Sequence, residues 1–302
     1  MIYRIVSITL FCLGLFCLAQ AQVPMTGAGK GAPGGGGGGS YIGPGDLGIT
    51  TPLAWSGLRA FSSATRGNAA INVCNVADVA CADMISDATT GALVITTIGG
   101  SDCSIVVCTV KKIYDQTAGG NCTGSCDLVQ NTIASRATLT VSCSGLTSSP
   151  CLTFNGTSAV YQSPLSFTGP SQPYVFNYVF NHTFTAARQD LGPSVGVNLS
   201  GAANEVFCVF GSFDQLASGS GLDGNWGSLS VLGNSTSSDI HINSTAPNIV
   251  DCGNGTLTTQ FQLGGASSFL NGSVVEVGAW NDGPSSSTMD TLSANAHTFW
   301  GF

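Results

Sequence analysis

Carboxyl groups are the scarce reactive side chains of this sequence: there are sixteen Asp and Glu in all, and only Glu205 and Glu276 are glutamates. Two carboxyls placed on either side of a glycosidic bond can cleave it, one as acid and one as nucleophile or base. The pool for such a pair is Glu205, which precedes an apolar run, Glu276, which lies within one, and Asp214, Asp223, Asp251 and Asp282, which sit near turn residues. By alternation Glu276 shares a strand face with Val274, Gly278 and Trp280, so its carboxylate must be paired, protonated or at the surface; an exposed, outward-facing glutamate is the plainer reading. Sugars are also recognised by aromatic rings, on which their C–H faces stack. Trp226 stands in the polar turn Asp223-Gly224-Asn225-Trp226-Gly227, where ligand contact and loop packing are both open.

Other chemistries find little support. The three histidines, His182, His241 and His297, are scattered and belong to no motif, so structural roles are expected for them. The match Gly219-Ser220-Gly221 is a low-complexity stretch and not a nucleophile elbow ahead of a helix. No Gly-rich loop is followed by Lys and Ser/Thr, which leaves nucleotide binding without a motif. No cofactor and no metal are expected. Eight Lys plus Arg against sixteen acids give a formal charge of -8, which cannot neutralise a phosphate backbone, so nucleic acid is excluded as a partner.

The elements that must position these residues are strands. With two Glu and three Lys the chain lacks the composition of a helical bundle, and a mean hydropathy of +0.30 is too apolar for general disorder. Runs rich in Val, Ile, Thr and aromatics predict strands over 92–98, 104–114, 138–142, 174–180, 206–210, 227–232, 258–263 and 273–280, while helical signals are confined to 55–65 and 288–299. The expected class is an all-β sandwich or jelly roll stapled by disulfides.

At the N-terminus Arg4, the apolar run Ile5 to Leu18 and Ala19-Gln20-Ala21 read as a signal peptide, residues 1–21, too short to span a bilayer. A secreted product with no membrane attachment after cleavage is expected. Residues 22–45, with Gly34 to Gly39 unbroken, read as a flexible tether, and 46–302 as one domain, its folded part starting near Tyr41 to Trp55. Cleavage removes Cys12 and Cys17 and leaves ten of the twelve cysteines. Cys74/Cys81, Cys103/Cys108, Cys122/Cys126 and Cys143/Cys151 are close neighbours, which leaves Cys208 and Cys252 as a long-range pair; this is the simplest of many connectivities. Asn-x-Ser/Thr triplets begin at Asn121, Asn155, Asn181, Asn198, Asn234, Asn243, Asn254 and Asn271 and, in a eukaryotic source, would mark exposed, glycosylated loops.

One stretch resembles a known family. Cys103-Ser-Ile-Val-Val-Cys108, followed by Ile113-Tyr114-Asp115-Gln116-Thr117 and Gly119-Gly120-Asn121, is similar to the catalytic domain of the α-L-arabinofuranosidase B glycoside hydrolases, as are Leu58 to Ser63 and Gly272 to Gly278. The resemblance implies a concanavalin A-like sandwich and a carbohydrate partner, an arabinose-containing glycan or another polysaccharide. It matches the family's nucleophile segment to Asp223 through Asn234, and there Leu232 stands at the nucleophile and Ser230 at a neighbouring Asp. The family's acid matches Ala266. Neither Leu nor Ala can donate a proton or attack an anomeric carbon. Two functions are therefore expected as alternatives. One is a non-catalytic glycan binder using Trp226, Asp223 and Asn234; the other is a glycosidase using Glu205, Asp223 or Glu276, with a shift in the match bringing Asp223 or Asp239 into the pocket.

Overall fold

The computed structural model describes residues 40–49, 51–117, 125–166, 172–183, 189–192, 196–200, 205–209, 213–215, 221–243, 248–255, 260–265, 269–281, 283 and 285–302. These residues belong to the second of two compact units, Ala32–Phe302. The segment read as a signal peptide and most of the tether lie outside the described residues, as do Ala266, Asn121 and Cys122.

The fold is an all-β jelly-roll sandwich; among the described residues there is one α-helix, α1, Ser286–Trp300. Its largest sheet runs in the order Asn248–Val250, Ser238–Ile242, Trp226–Gly233, Tyr174–His182, Asn271–Trp280, Cys151–Asn155 and Thr138–Thr140, then continues through Cys108–Ile113 to Gln260–Leu263. Pro52–Gly57 pairs with Asn271–Trp280, and the pairings within this sheet are antiparallel. The two ends of the path face each other over a shared core. Phe176, Tyr178, Leu229 and Ile240 from one side meet Val110, Leu152, Tyr161 and Phe261 from the other in one buried cluster. The Tyr161 hydroxyl is satisfied inside it, donating to the Val110 carbonyl at 2.6 Å and accepting from the Ala137 amide at 2.8 Å.

The 174–182 strand carries apolar residues on both faces because both are covered over most of its length. Phe176, Tyr178 and Phe180 point into the sandwich. Val175 points outward and joins Trp55, Trp280, Met289 and Leu292 in a second cluster beneath α1. α1 buries Met289, Leu292, Ala296, Phe299 and Trp300, the three-to-four-residue spacing of one helical face, and ends where Gly301 adopts φ 74°.

Several expectations need correction. Residues 55–65, read as helical, form the end of the Pro52–Gly57 strand and a single 3-10 turn at Ser63–Thr65; pairing of Trp55 with Gly278 overrides local preference. Of 92–98 only Thr97–Ile98 is strand. The span read as tether is packed from Tyr41 onward: the Tyr41 hydroxyl donates to the Ala60 carbonyl, and the Gly45 amide donates to the Phe61 carbonyl at 2.8 Å. Asn198 is fully buried within a strand, so its triplet marks no exposed loop.

Cys74–Cys81, Cys103–Cys108, Cys143–Cys151 and Cys208–Cys252 are disulfides. Cys126 is also disulfide-bonded. Among the described residues no helix is long and apolar enough to cross a membrane.

Candidate functional site

Four neighbouring strands place one residue each in a continuous row. Thr153 pairs with Ser273, Ser273 with Asn181, and Asn181 with Trp226. Paired residues of an antiparallel sheet project to the same face, so the row is a strip of two hydroxyls, an amide and an indole. It lies on the outer face, the one that α1 covers further along the strands. A bulge in the Asn271–Trp280 strand, opposite Val179 and Phe180, sets this register: Val179 pairs with Glu276 but Phe180 with Val274. Thr140 extends the row, its hydroxyl 2.8 Å from that of Thr153, which lies 3.3 Å from the Ser273 hydroxyl.

A cavity of about 570 Å³ opens over this row. One wall is the turn Ser142 to Gly145, tied down by the Cys143–Cys151 disulfide; the others are Gly224, Asn225, Thr183 and Phe302. Its size falls within the roughly 300–1,000 Å³ of ligand pockets. Trp226 fastens two of the walls together. Its Nε1 donates to the Ser144 carbonyl at 2.7 Å, and its ring lies where a Cβ on Gly145 would come within 2.8 Å. Only 7% of Trp226 is exposed, so it packs the turn and presents a narrow strip to the cavity. Asn181 braces the other wall by donating to the Gly224 carbonyl at 2.9 Å. Among the described residues no Asp, Glu, Lys or Arg lines this cavity.

The expected site residues fall in four different places. Asp223 belongs to the turn beside Gly224 and is exposed, without lining the cavity. It bridges to His182, whose imidazole is buried on the inner side; burial pushes the His182 pKa down to about 4, and the Asp223 charge pulls the other way. Asn234 lies past the far end of the 226–233 strand, eight residues from Trp226 and so roughly 26 Å along the strand. It therefore cannot share a subsite with Trp226. Glu205 opens a strand of the separate four-stranded sheet and does not line the cavity.

Glu276 overturns the expectation of an exposed glutamate. It is 2% exposed and held by Arg59, with Nε 2.6 Å from Oε1 and Nη2 3.1 Å from Oε2. Trp300 Nε1 also donates to Oε1, and the Arg59 guanidinium lies 4.7 Å from the centre of the Phe299 ring. A carboxylate so paired and enclosed is part of the framework.

Leu232 is half-buried against the cluster beneath α1, and Ser230 accepts from the Asn177 amide at 2.8 Å. Asp239 likewise belongs to a fastening of α1. His241 Nε2 lies 3.0 Å from Asp239 and Nδ1 2.9 Å from Asp290, while Ser286 donates to Asp239 at 3.0 Å. Among the described residues, Cys74, Asp78 and Cys81 lie close enough together to resemble a metal site, but both sulfurs are in a disulfide and Asp78 faces Arg136 at 2.6 Å.

Solved structures share this arrangement of strands. A point mutant of a GH54 α-L-arabinofuranosidase soaked with 4-nitrophenyl α-L-arabinofuranoside superposes with a TM-score of 0.62 at 16% identity, over 86% of this chain and 66% of that one. An arabinofuranosidase complexed with arabinofuranosyl-α-1,2-xylobiose gives 0.65 at 14% identity, over 86% of this chain and 65% of that one. This chain has the GH54 arabinofuranosidase fold. It spans slightly less than two thirds of the length of these enzymes. No family model matches the sequence, and no curated protein does.

Of the expected contacts Trp226 lines the cavity; Thr140, Thr153, Asn181, Ser273 and Phe302 also line it without having been singled out. The first four are ordinary strand residues whose only signal is mutual register. Asn181, Thr183 and the turn of Trp226 could have been linked by noticing polar residues at the end of a mostly apolar strand.

Proposed function

We propose that this chain is an exported carbohydrate-binding domain on an arabinofuranosidase-type sandwich, binding an arabinose-containing glycan or another polysaccharide without hydrolysing it. The observation that carries the reading is the cavity over Thr153, Ser273, Asn181 and Trp226, lined by hydroxyls, amides and aromatic rings and, among the described residues, by no carboxylate. Such a surface can exchange hydrogen bonds with sugar hydroxyls. Among the described residues it holds no pair that could act as acid and nucleophile, which in retaining enzymes stand about 5–5.5 Å apart. Export is supported by Arg4, the apolar run to Leu18 and Ala19-Gln20-Ala21, together with a disulfide-rich domain.

Asp223, beside the cavity wall, supports a second reading as a glycosidase acting with a single close carboxylate and a partner from elsewhere. One experiment separates the two. The purified chain beginning at Gln22 is assayed for turnover of an aryl α-L-arabinofuranoside and for affinity across a glycan panel. Affinity without turnover, lost in Trp226→Ala, is the expected result. Turnover that disappears in Asp223→Asn would overturn the binding reading.

A further inference from the structure

A second cavity adjoins the first. It measures about 260 Å³ and is lined by Asn243, Ser293, Ala294, His297, Thr298 and Phe302. Phe302 lines both cavities and is the partition between them. Their floors are continuous in the sheet. Asn243 Oδ1 accepts the Ser228 amide at 2.8 Å, and the side chain of Asn243 lies 2.9 Å from where Gly227 would carry a Cβ. Gly227 directly follows Trp226 of the first cavity, and the lack of a side chain there leaves room for both Leu222 and Asn243. The far wall is the last turns of α1, where Ala294, His297 and Thr298 are exposed. The His297 ring meets Phe302 edge-on, with centroids 5.3 Å apart, which holds the partition upright.

Neither cavity is lined by Asp, Glu, Lys or Arg among the described residues. A uronate or sialate would bring a carboxylate that wants Arg or Lys, and seating it without either carries a desolvation cost. The volumes are unequal. At roughly 30 Å³ for each water of liquid, the smaller cavity displaces about eight or nine waters, the space of one sugar ring.

We infer that the site reads a neutral oligosaccharide of at least two residues, the first seated over Trp226 and Asn181 and the next passing Phe302 into the cavity of Asn243, Ser293 and Thr298. The inference rests on the glycan-binding reading and extends it. The second residue leaves along the exposed side of α1, so longer chains continue into solvent and add little.

The test is a length series. Affinities of the purified chain are measured for neutral arabino- and xylo-oligosaccharides of one to four residues and for oligogalacturonates of the same lengths. The expected result is at least a tenfold gain from one residue to two, little gain beyond, and weaker binding of every uronate. Ala294→Trp, an exposed helix position that fills the second cavity, should remove the gain and leave monosaccharide affinity in place; Thr298→Trp checks the same wall from the next turn. Affinity that does not change with length, a gain that survives both substitutions, or uronates binding as tightly as neutral chains would each overturn the inference while leaving glycan binding intact. Absence of binding to any sugar would overturn both.

Discussion

Gln116 donates its side-chain amide to the Arg59 carbonyl at 3.0 Å, and Arg59 carries that link into the buried ion pair with Glu276. The same amide donates to the Gly57 carbonyl at 3.0 Å, and Gln116 Oε1 accepts from the Phe61 amide at 3.1 Å. Its neighbour Asp115 accepts from the amides of Trp55 and Thr117 at 3.1 and 3.0 Å, and burial pushes the Asp115 carboxyl up nonetheless. The Tyr-Asp-Gln stretch that resembles the hydrolases is therefore a knot that fixes residues 55–61 against the sheet. The resemblance is strongest where the fold is fastened.

Glu276 should consequently matter to stability and not to chemistry. Glu276→Ala strands the Arg59 guanidinium in a buried site, a change that costs about 3–5 kcal/mol. Replacing both residues with apolar ones of similar volume should restore much of that loss. Urea unfolding midpoints of the single and double variants check the expectation. Equal stability of Glu276→Ala and the parent would contradict it.

Glu276 also shows what was legible. Alternation correctly put Glu276, Gly278 and Trp280 on one face, but Val274, expected on that face, is turned to the inner side by the bulge; the run at 288–299 gave the helix. What covers that face was not readable, because α1 folds back from later in the chain and Arg59 arrives from 217 residues earlier. The cavity was hidden for the same reason. Thr153, Ser273, Asn181 and Trp226 meet only through the register of strands far apart in sequence, and that register depends on the bulge opposite Val179 and Phe180. A shift of one residue would turn the whole row inward.

His182 makes the domain sensitive to acid. Its folded pKa of about 4 lies below the ordinary value of 6.5, so the unfolded chain binds the proton more readily between those limits. Its contribution is fully present above pH 6.5 and is lost as pH falls toward 4, about 3 kcal/mol in all at 1.36 kcal/mol per unit. His182→Gln removes the titration. Unfolding midpoints compared at pH 7 and pH 5 should fall more in the parent than in that variant, and identical falls would sink the assignment.

Gly145 can be tested against a matched control. Gly145 and Gly100 have φ of +83° and +82°, but a Cβ on Gly145 would meet Trp226 at 2.8 Å while one on Gly100 meets nothing within 4 Å. Both alanine variants carry the left-handed backbone penalty of roughly 1–2 kcal/mol. Gly145→Ala should lose about 1–3 kcal/mol more from overpacking, because Trp226 is held by Ser144 and cannot retreat. It should also weaken glycan affinity, which Gly100→Ala leaves unchanged. Calorimetric melting with parallel binding isotherms reads both effects, and equal penalties at the two glycines would rule out the Trp226 contact as the cause.

The wall that Gly145 belongs to hangs on one crosslink. Cys143–Cys151 closes a short loop, with a separation of 8 residues, between the Ser142 to Gly145 turn and the Cys151–Asn155 strand that supplies Thr153 to the cavity floor. Loop-closure entropy for that length is worth about 2.5 kcal/mol. The double substitution Cys143→Ser with Cys151→Ser should therefore lower stability by that order. Because the crosslink also fixes wall to floor, affinity should fall further than in a variant lacking Cys74–Cys81, a disulfide of similar separation in a hairpin that does not line the cavity. Binding measured well below each variant's melting temperature separates the two effects. If both disulfide variants lose affinity alike, the crosslink acts through global stability alone, and the fixed wall is not what the ligand requires.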